Sequence, residues 1–310
     1  MKKIKMKKII ALFSLIVLAS CGGNKADNEK QIKLVTEKDK LSYSFGAEQV
    51  SQMANDPNFK SMDLKMLEDG FSEGLNYKSA TLDPECKDVL QKLFGPYGQD
   101  FEVAYAKDGS KCIGKVIGFE FMKFCQSMGG ESQIDIEMVK VGFKQGLQKK
   151  DTLIKSSDRL ALINTFISGL NQSSSAKMMD KVKKMPNIKT LAGGILIQTI
   201  EDGKGGSPSA DDDVEANYIL TNAKGDTIES SFAIQKMQGT KEAPKFNLNG
   251  VIQGWKQSFP SLKKGGKYRL YVPAELAYGD QKGALCFYIE FINFGKAGTL
   301  VKPQPQQPTM

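Results

Sequence analysis

The 310-residue sequence contains no histidine. That absence removes Ser-His-Asp and Cys-His catalysis and every metal site built on imidazole. Any chemistry must come from carboxylates, tyrosines, backbone groups or shape. Cysteine is scarce, and the spacings of Cys86, Cys112, Cys125 and Cys286 match no metal-binding pattern. Neither a metal nor a cofactor is expected. Tryptophan occurs once, as Trp255. Long apolar runs are also lacking: Ile9–Leu18 is too short for a conventional membrane span.

The formal charge of +8 suggests nucleic acid at first sight, but Lys2, Lys3, Lys5, Lys7 and Lys8 supply five of those charges. The remainder is too small to draw a nucleic-acid footprint, and no such partner is expected. The same lysines precede the apolar run, which ends in Leu18-Ala19-Ser20-Cys21. Lys-rich start, apolar middle and small residues before a Cys resemble a bacterial lipoprotein signal. The expectation is a signal peptide over 1–20, a lipidated Cys21 and a tether over 21–38, with Gly22–Glu29 flexible. This places the chain in the bacterial cell envelope, held to the membrane, the outer one by preference, through its N-terminal lipid on a periplasmic or surface face. An exported compartment permits disulfides, yet spacing does not choose between bridges and buried free thiols for the other four cysteines.

The chain repeats itself. An offset of 72 residues aligns Gly46 with Gly118, Asp63 with Asp135, Gly70 with Gly142, Phe71 with Phe143 and Gly74 with Gly146, and runs on without a gap to Phe94 and Phe166. This implies a duplicated supersecondary unit, over 39–95 and 111–170. Leu64, Leu67, Phe71 and Leu75, like Ile136, Val139, Phe143 and Leu147, recur at helical spacing. Asp63 and Asp135 stand where N-caps belong. The glycine pairs suit either close helix approach or a helix end. A third helix begins at Asp83-Pro84 in one unit and near Ser157-Asp158 in the other. Asn171–Ser175 reads as a break, Lys177–Met185 as a further turn or two, and Pro186 as the end of a connector over 171–186.

From 187 to 296 the period changes to two. Val214, Ala216, Tyr218 and Leu220 alternate with Glu215, Asn217 and Ile219; Tyr268–Val272 and Leu285–Phe291 do likewise. The pattern predicts a half-buried antiparallel sheet, with one short helical piece, Trp255–Leu262, to cover it. Asp211-Asp212-Asp213 reads as a solvated turn. The Pro- and Gln-rich residues 297–310 read as a disordered tail.

Several motifs fall in one order: Gly194-Ile195-Leu196, Glu201-Asp202-Gly203-Lys204-Gly205, Asn217-Tyr218, Gly250-Val251-Ile252-Gln253-Gly254-Trp255, Lys263–Lys267, Ala277-Tyr278-Gly279 and Leu285-Cys286-Phe287. Their order and spacing resemble FKBP-type (FK506-binding-protein) peptidyl-prolyl cis-trans isomerases. Leu41-Ser42-Tyr43-Ser44-Phe45-Gly46 and the Gly-Phe-x-x-Gly-Leu helix ends resemble the helical domain of the macrophage-infectivity-potentiator kind. The fold implied is α+β: an all-helical duplicated region, then an FKBP-like antiparallel β-sheet wrapped around a short helix. The activity implied is rotation about Xaa-Pro bonds of exported or unfolded proline-containing polypeptides, as a folding helper. The alternative is a catalytically weak or inactive FKBP-like peptide-binding chaperone.

By that resemblance Trp255 floors a prolyl pocket walled by Tyr218, Val251, Ile252 and Phe287. The Ile252 N–H holds a substrate carbonyl, and the Tyr278 hydroxyl donates to the peptide. Phe246 and Ile228 contact substrate, and Glu229 supplies the carboxylate. Three departures stand out. Ile228-Glu229 replaces Phe-Asp, Pro244 replaces a pocket aromatic or aliphatic, and only Asp280–Gly283 separates Gly279 from Ala284 where the family has a long rim loop. The short turn should open one pocket wall and weaken catalysis and macrolide binding. In the family the helices dimerise the protein. A homodimer through the repeats is therefore one expectation, and pairing of the two copies within one chain is the other.

Overall fold

The computed structural model describes residues 32–76, 84–95, 101–150 and 153–301. The expected signal peptide, Cys21, most of the tether, Asp83 and the end of the tail lie outside them. Two compact units emerge, Met1–Thr165 and Phe166–Met310. No helix among the described residues is long and apolar enough to cross a membrane.

The first unit is helical: α1 (Glu37–Met53), α2 (Leu64–Leu75), α3 (Pro84–Phe94), α4 (Ala106–Ser127), α5 (Ile136–Leu147) and the start of α6 (Ser156–Lys183). Thr36 and Asp39 close a capping box on α1. Asp63 accepts from Lys65 and Met66 N–H at the head of α2, and Asp135 from Glu137 and Met138 N–H at the head of α5. The two repeats interleave. α1 packs on α5, and α2 on α4, so each repeat is completed by the other. Phe71 and Phe143 stack face to face between them, centroids 3.8 Å apart, as equivalent residues do on a two-fold axis.

Glycines make these crossings close. A Cβ on Gly70 would lie 1.9 Å from the Lys111 carbonyl oxygen, and one on Gly142 2.1 Å from that of Tyr43. The glycine pairs are thus helix contacts, and Gly74 and Gly146 also stand at the ends of their helices, where their carbonyls accept the cap N–H groups of Asn76 and Gln148. The crossings also correct the ungapped alignment. Asp63 N–H donates to Ser110 Oγ (2.9 Å) and Asp135 N–H to Ser42 Oγ (2.8 Å), so Ser42 and Ser110 are the structural equivalents. Gly46 touches Val139 and Phe143 backbone as Gly114 touches Leu67 and Phe71. The partner of Gly46 is therefore Gly114, one helical turn before Gly118. α4 carries the extra turn, and its repeated glycines, spaced four apart, disguise the insertion.

The third helix of each repeat is fastened differently. α3 is joined to α4 by a Cys86–Cys112 disulfide, which settles two of the four cysteines. Arg159, at the head of α6, instead pairs with Glu48 of α1 at 2.7 Å, their side chains only 3% and 8% exposed. Burial holds the remaining thiols protonated, Cys125 pushed up to about 12 and Cys286 to about 11.

The expected break at Asn171–Ser175 does not occur, and no separate connector exists over 171–186. α6 runs unbroken to Lys183. Ser and Asn are poor helix formers because their side chains compete for backbone groups. Here that competition is resolved inside the helix, where Ser175 Oγ bonds the Asn171 carbonyl at 2.6 Å.

The second unit contains a seven-stranded antiparallel sheet: β1 (Ile188–Thr190), β2 (Leu196–Glu201), β3 (Asp213–Asn222), β4 (Thr227–Ser230), β5 (Lys245–Asn247), β6 (Lys267–Val272) and β7 (Leu285–Gly295). The order is β1-β2-β6-β7-β3-β4, with β5 also on β3. Between β4 and β5 lies α7 (Ser231–Gln238), a second covering helix that the sequence pattern does not announce; Ser230 caps it and Gly239 closes it in a left-handed turn. One face of the sheet buries Ile197, Ala216, Leu270 and Phe287 against α8 (Gln253–Ser258). The alternate residues Leu196 and Tyr271 meet Val182 of α6 on the other. Around Leu196 and Tyr271 the alternation thus separates two cores, while Arg269 on that same outer face stays exposed.

Two further expectations are corrected. Asp213 is fully buried and Asp212 nearly so, and neither sits in a solvated turn. The Asp213 carboxylate accepts from Leu300 N–H (3.0 Å), Val301 N–H (2.9 Å) and the Asn247 amide (2.7 Å), which tethers the described part of the tail, 297–301. Burial opposes its ionisation, but these hydrogen bonds outweigh burial and hold the carboxyl below its ordinary range.

Candidate functional site

The segment Gly250–Trp255 leads into α8. Gly254 lets that short helix lie against the sheet: a Cβ there would sit 2.3 Å from Val272 Cγ1. The close approach brings Trp255, 4% exposed, into a set of aromatic edges. Tyr218 lies 5.7 Å away between ring centroids at 90°, Phe246 5.3 Å at 81° and Phe287 5.4 Å at 72°. Phe259, fully buried, packs below at 5.0 Å. Such edge-to-face contacts suit the ring quadrupole and hold the indole in one orientation. Its Nε1–H is buried with no acceptor among the described residues. Tyr218, Phe246, Val251 and Ile252 are only half-buried, so the cluster faces water on one side.

Polar groups are few. The Tyr218 hydroxyl donates to Glu229 Oε1. Burial pushes the Tyr218 phenol far above its usual range, and the bond to Glu229 adds to the shift. The phenol therefore stays protonated and serves as a donor. Its backbone N–H donates to Ser231 Oγ at 2.9 Å, which bonds Asn217 Oδ1 at 3.1 Å, so α7 braces the strand that carries Tyr218. Ile252 accepts from Trp255 N–H (3.0 Å) and Lys256 N–H (3.2 Å), while its own N–H makes no bond among the described residues. Tyr278 is 59% exposed.

The fold thus gathers Tyr218, Phe246, Val251, Ile252, Trp255 and Phe287 into one core cluster, with Glu229 tied in through Tyr218. Ile228 and Tyr278 are exposed, and Tyr278 lies near enough to Tyr218 to add to the rise of its phenol. Pro244 contributes its carbonyl, which accepts from Ala216 N–H at 3.2 Å. Sequence reasoning missed Phe259 beneath the indole, although Phe259-Pro260 four residues after Trp255 marks the next turn on the same face. It also missed the α7 brace, since Ser231–Gln238 is too short for a clear helical period.

Comparison with known proteins agrees with this geometry. Residues 205–292 match the profile of the family described as FKBP-type peptidyl-prolyl cis-trans isomerase. The chain is 31% identical over 171 residues to the FKBP-type peptidyl-prolyl cis-trans isomerase FkpA of Escherichia coli strain K12, covering 53% of this chain and 57% of that one. It is 32% identical over 111 residues to the peptidyl-prolyl cis-trans isomerase Mip of Coxiella burnetii, covering 36% and 46%. The chain thus spans about half the length of these curated relatives. The crystal structure of FkpA from Escherichia coli superposes with a TM-score of 0.42 and 24% identity, over 62% of this chain and 97% of that one. The motif order, the sheet around α8 and the profile match all fall on the same residues, and over 205–292 the C-terminal domain is similar to the FKBP-type peptidyl-prolyl cis-trans isomerases.

Proposed function

We propose that this chain is an envelope-anchored peptidyl-prolyl cis-trans isomerase that helps exported, proline-containing polypeptides to fold. The observation that carries the reading is the half-open aromatic cluster on Trp255, flanked by an Ile252 N–H that has no partner among the described residues. Rotation about an Xaa-Pro bond costs about 18–20 kcal/mol because it sacrifices amide resonance. Uncatalysed, it takes roughly tens to hundreds of seconds. The twisted amide is less polar than the planar one, so an apolar, water-poor surface favours it. Trp255 takes the proline ring on its face, with Tyr218, Phe246, Val251 and Phe287 around it. Ile252 N–H and the Tyr278 hydroxyl hold peptide carbonyls. No proton is moved and no nucleophile is used, so the lack of histidine is no obstacle. Lipid on Cys21 supplies the anchor.

A protease-coupled assay on an Xaa-Pro tetrapeptide tests this. Acceleration at least about tenfold over the uncatalysed rate is expected, equivalent to roughly 1.4 kcal/mol off the barrier. Folded protein that gives only the background rate would reject it. The four-residue Asp280–Gly283 turn favours one alternative, peptide binding without turnover. Quenching of Trp255 fluorescence by the peptide, with no acceleration, would select that alternative.

We also propose internal pairing of the repeats in place of a homodimer. The glycine-lined faces that would receive a second copy are already occupied within one chain. Light scattering of the chain lacking residues 1–21 should return a monomer mass; a dimer mass would overturn this.

A further inference from the structure

We propose that the polar face of α6 from Ser168 to Ser175 is a positioning element for the prolyl site. It grips the turn Asp280–Gly283 and thereby sets the direction of Tyr278. The inference rests on the isomerase reading above. Ser168, Asn171, Gln172 and Ser175 fall at helical spacings of three, four and seven, so they share one face. Each meets the turn. Asn171 Nδ2 donates to the carbonyls of Gln281 (2.8 Å) and Asp280 (3.3 Å). Gln172 Nε2 donates to Asp280 Oδ2 at 3.0 Å. Gln281 Nε2 donates to Ser168 Oγ at 2.7 Å, and Ala284 N–H to Ser175 Oγ at 2.7 Å. Ser175 Oγ is used in both senses, since it also donates to the Asn171 carbonyl.

The contact is tight as well as polar. Gly283 has a φ of +68°, and a Cβ there would lie 2.8 Å from Ser175 Oγ and 3.1 Å from Asn171 Cβ. The turn's own bonds are few: Lys282 and Gly283 N–H both reach the Gly279 carbonyl, at 3.1 and 3.0 Å. Tyr278 stands just before this turn, more than half exposed, with no hydrogen bond on its hydroxyl among the described residues. Its backbone is held on one side by Gly279 N–H to the Ala274 carbonyl at 2.9 Å. The other side is held by α6. A long rim loop would hold itself by its own packing; four residues cannot, and the helix supplies the missing partners.

The test is the double change Asn171→Ala and Ser175→Ala in the full chain, with Tyr278 labelled as 3-fluorotyrosine. The 19F line of residue 278 should shift or broaden, and kcat/KM for an Xaa-Pro tetrapeptide should fall at least about fivefold, an effect of roughly 1 kcal/mol. An unmoved line, or a moved line with kcat/KM within about twofold of the parent, would overturn the proposal. If the parent shows no turnover, the isomerase reading has failed separately. The inference is then decided by the 19F line and by peptide affinity from Trp255 fluorescence: weaker binding with a shifted line supports the grip, and unchanged binding sinks it. Should the double variant not fold, Gln172→Ala removes only the bond to the exposed Asp280 carboxylate and is read in the same way.

Discussion

Truncation of Trp255 to alanine is expected to destabilise the C-terminal unit by about 3–5 kcal/mol and to remove the proposed isomerase activity. The indole is almost wholly buried and touches Tyr218, Phe246, Phe259 and Phe287, so its loss leaves a cavity among four rings that cannot all move inward together. Each lost edge-to-face contact adds about 0.5–1.5 kcal/mol to the area term. Because this is the sole tryptophan, its fluorescence disappears with it, and unfolding in urea must be followed by circular dichroism. Stability and catalysis are separated by Trp255→Phe. That variant keeps an aromatic floor of smaller area, so it should fold well and lose about tenfold in kcat/KM, roughly 1.4 kcal/mol of transition-state stabilisation. Wild-type kcat/KM in well-folded Trp255→Phe would mean that the indole face is not where the proline ring turns.

The second large effect lies in the helical unit. Gly142→Ala should cost at least about 3 kcal/mol, the upper end of what overpacking usually costs. The added Cβ would meet the Tyr43 carbonyl oxygen at 2.1 Å, its carbon at 2.9 Å and the Ala47 nitrogen at 3.0 Å. All three are backbone, so no side chain can rotate away, and α1 and α5 must separate. Gly169→Ala is the control. It also lies within a helix, but a Cβ there meets nothing within 4 Å. Alanine is the better helix former, so this change should stabilise by about 0.5–1 kcal/mol. The midpoint of the helical dichroism signal reads both. Equal midpoints for the two variants would show that the interleaved crossing of the repeats is absent.

Legibility differed along the chain for physical reasons. The caps at Asp63 and Asp135 were readable because a capping side chain bonds N–H groups two and three residues on. The strands were readable because side chains alternate with a period of two. The register of the repeats was not. Gly114 and Gly118 stand one turn apart, so the ungapped offset takes Gly118 where the helix contacts take Gly114. The choice between them rests on tertiary bonds, Asp63 N–H to Ser110 Oγ and its counterpart Asp135 N–H to Ser42 Oγ. Asp213 read as a surface charge because its partners, Leu300 and Val301, lie almost ninety residues away.

The residue types alone pointed to the kind of domain and to the aromatic cluster on Trp255. Trp255, Tyr218, Ile252 and the glycine-rich turns around them are a local vocabulary, and their order along the chain carries it. The absence of histidine also excluded imidazole chemistry without any structure. Only the tertiary structure decided how α6 behaves. A run of asparagine, glutamine and serines is a poor helix by propensity, and it becomes a continuous helix whose polar face holds a turn more than a hundred residues away. Propensity is a sum over neighbours in sequence, worth tenths of a kcal/mol per residue. A hydrogen bond to a distant loop contributes about as much as several such terms, and nothing in the local sequence announces it.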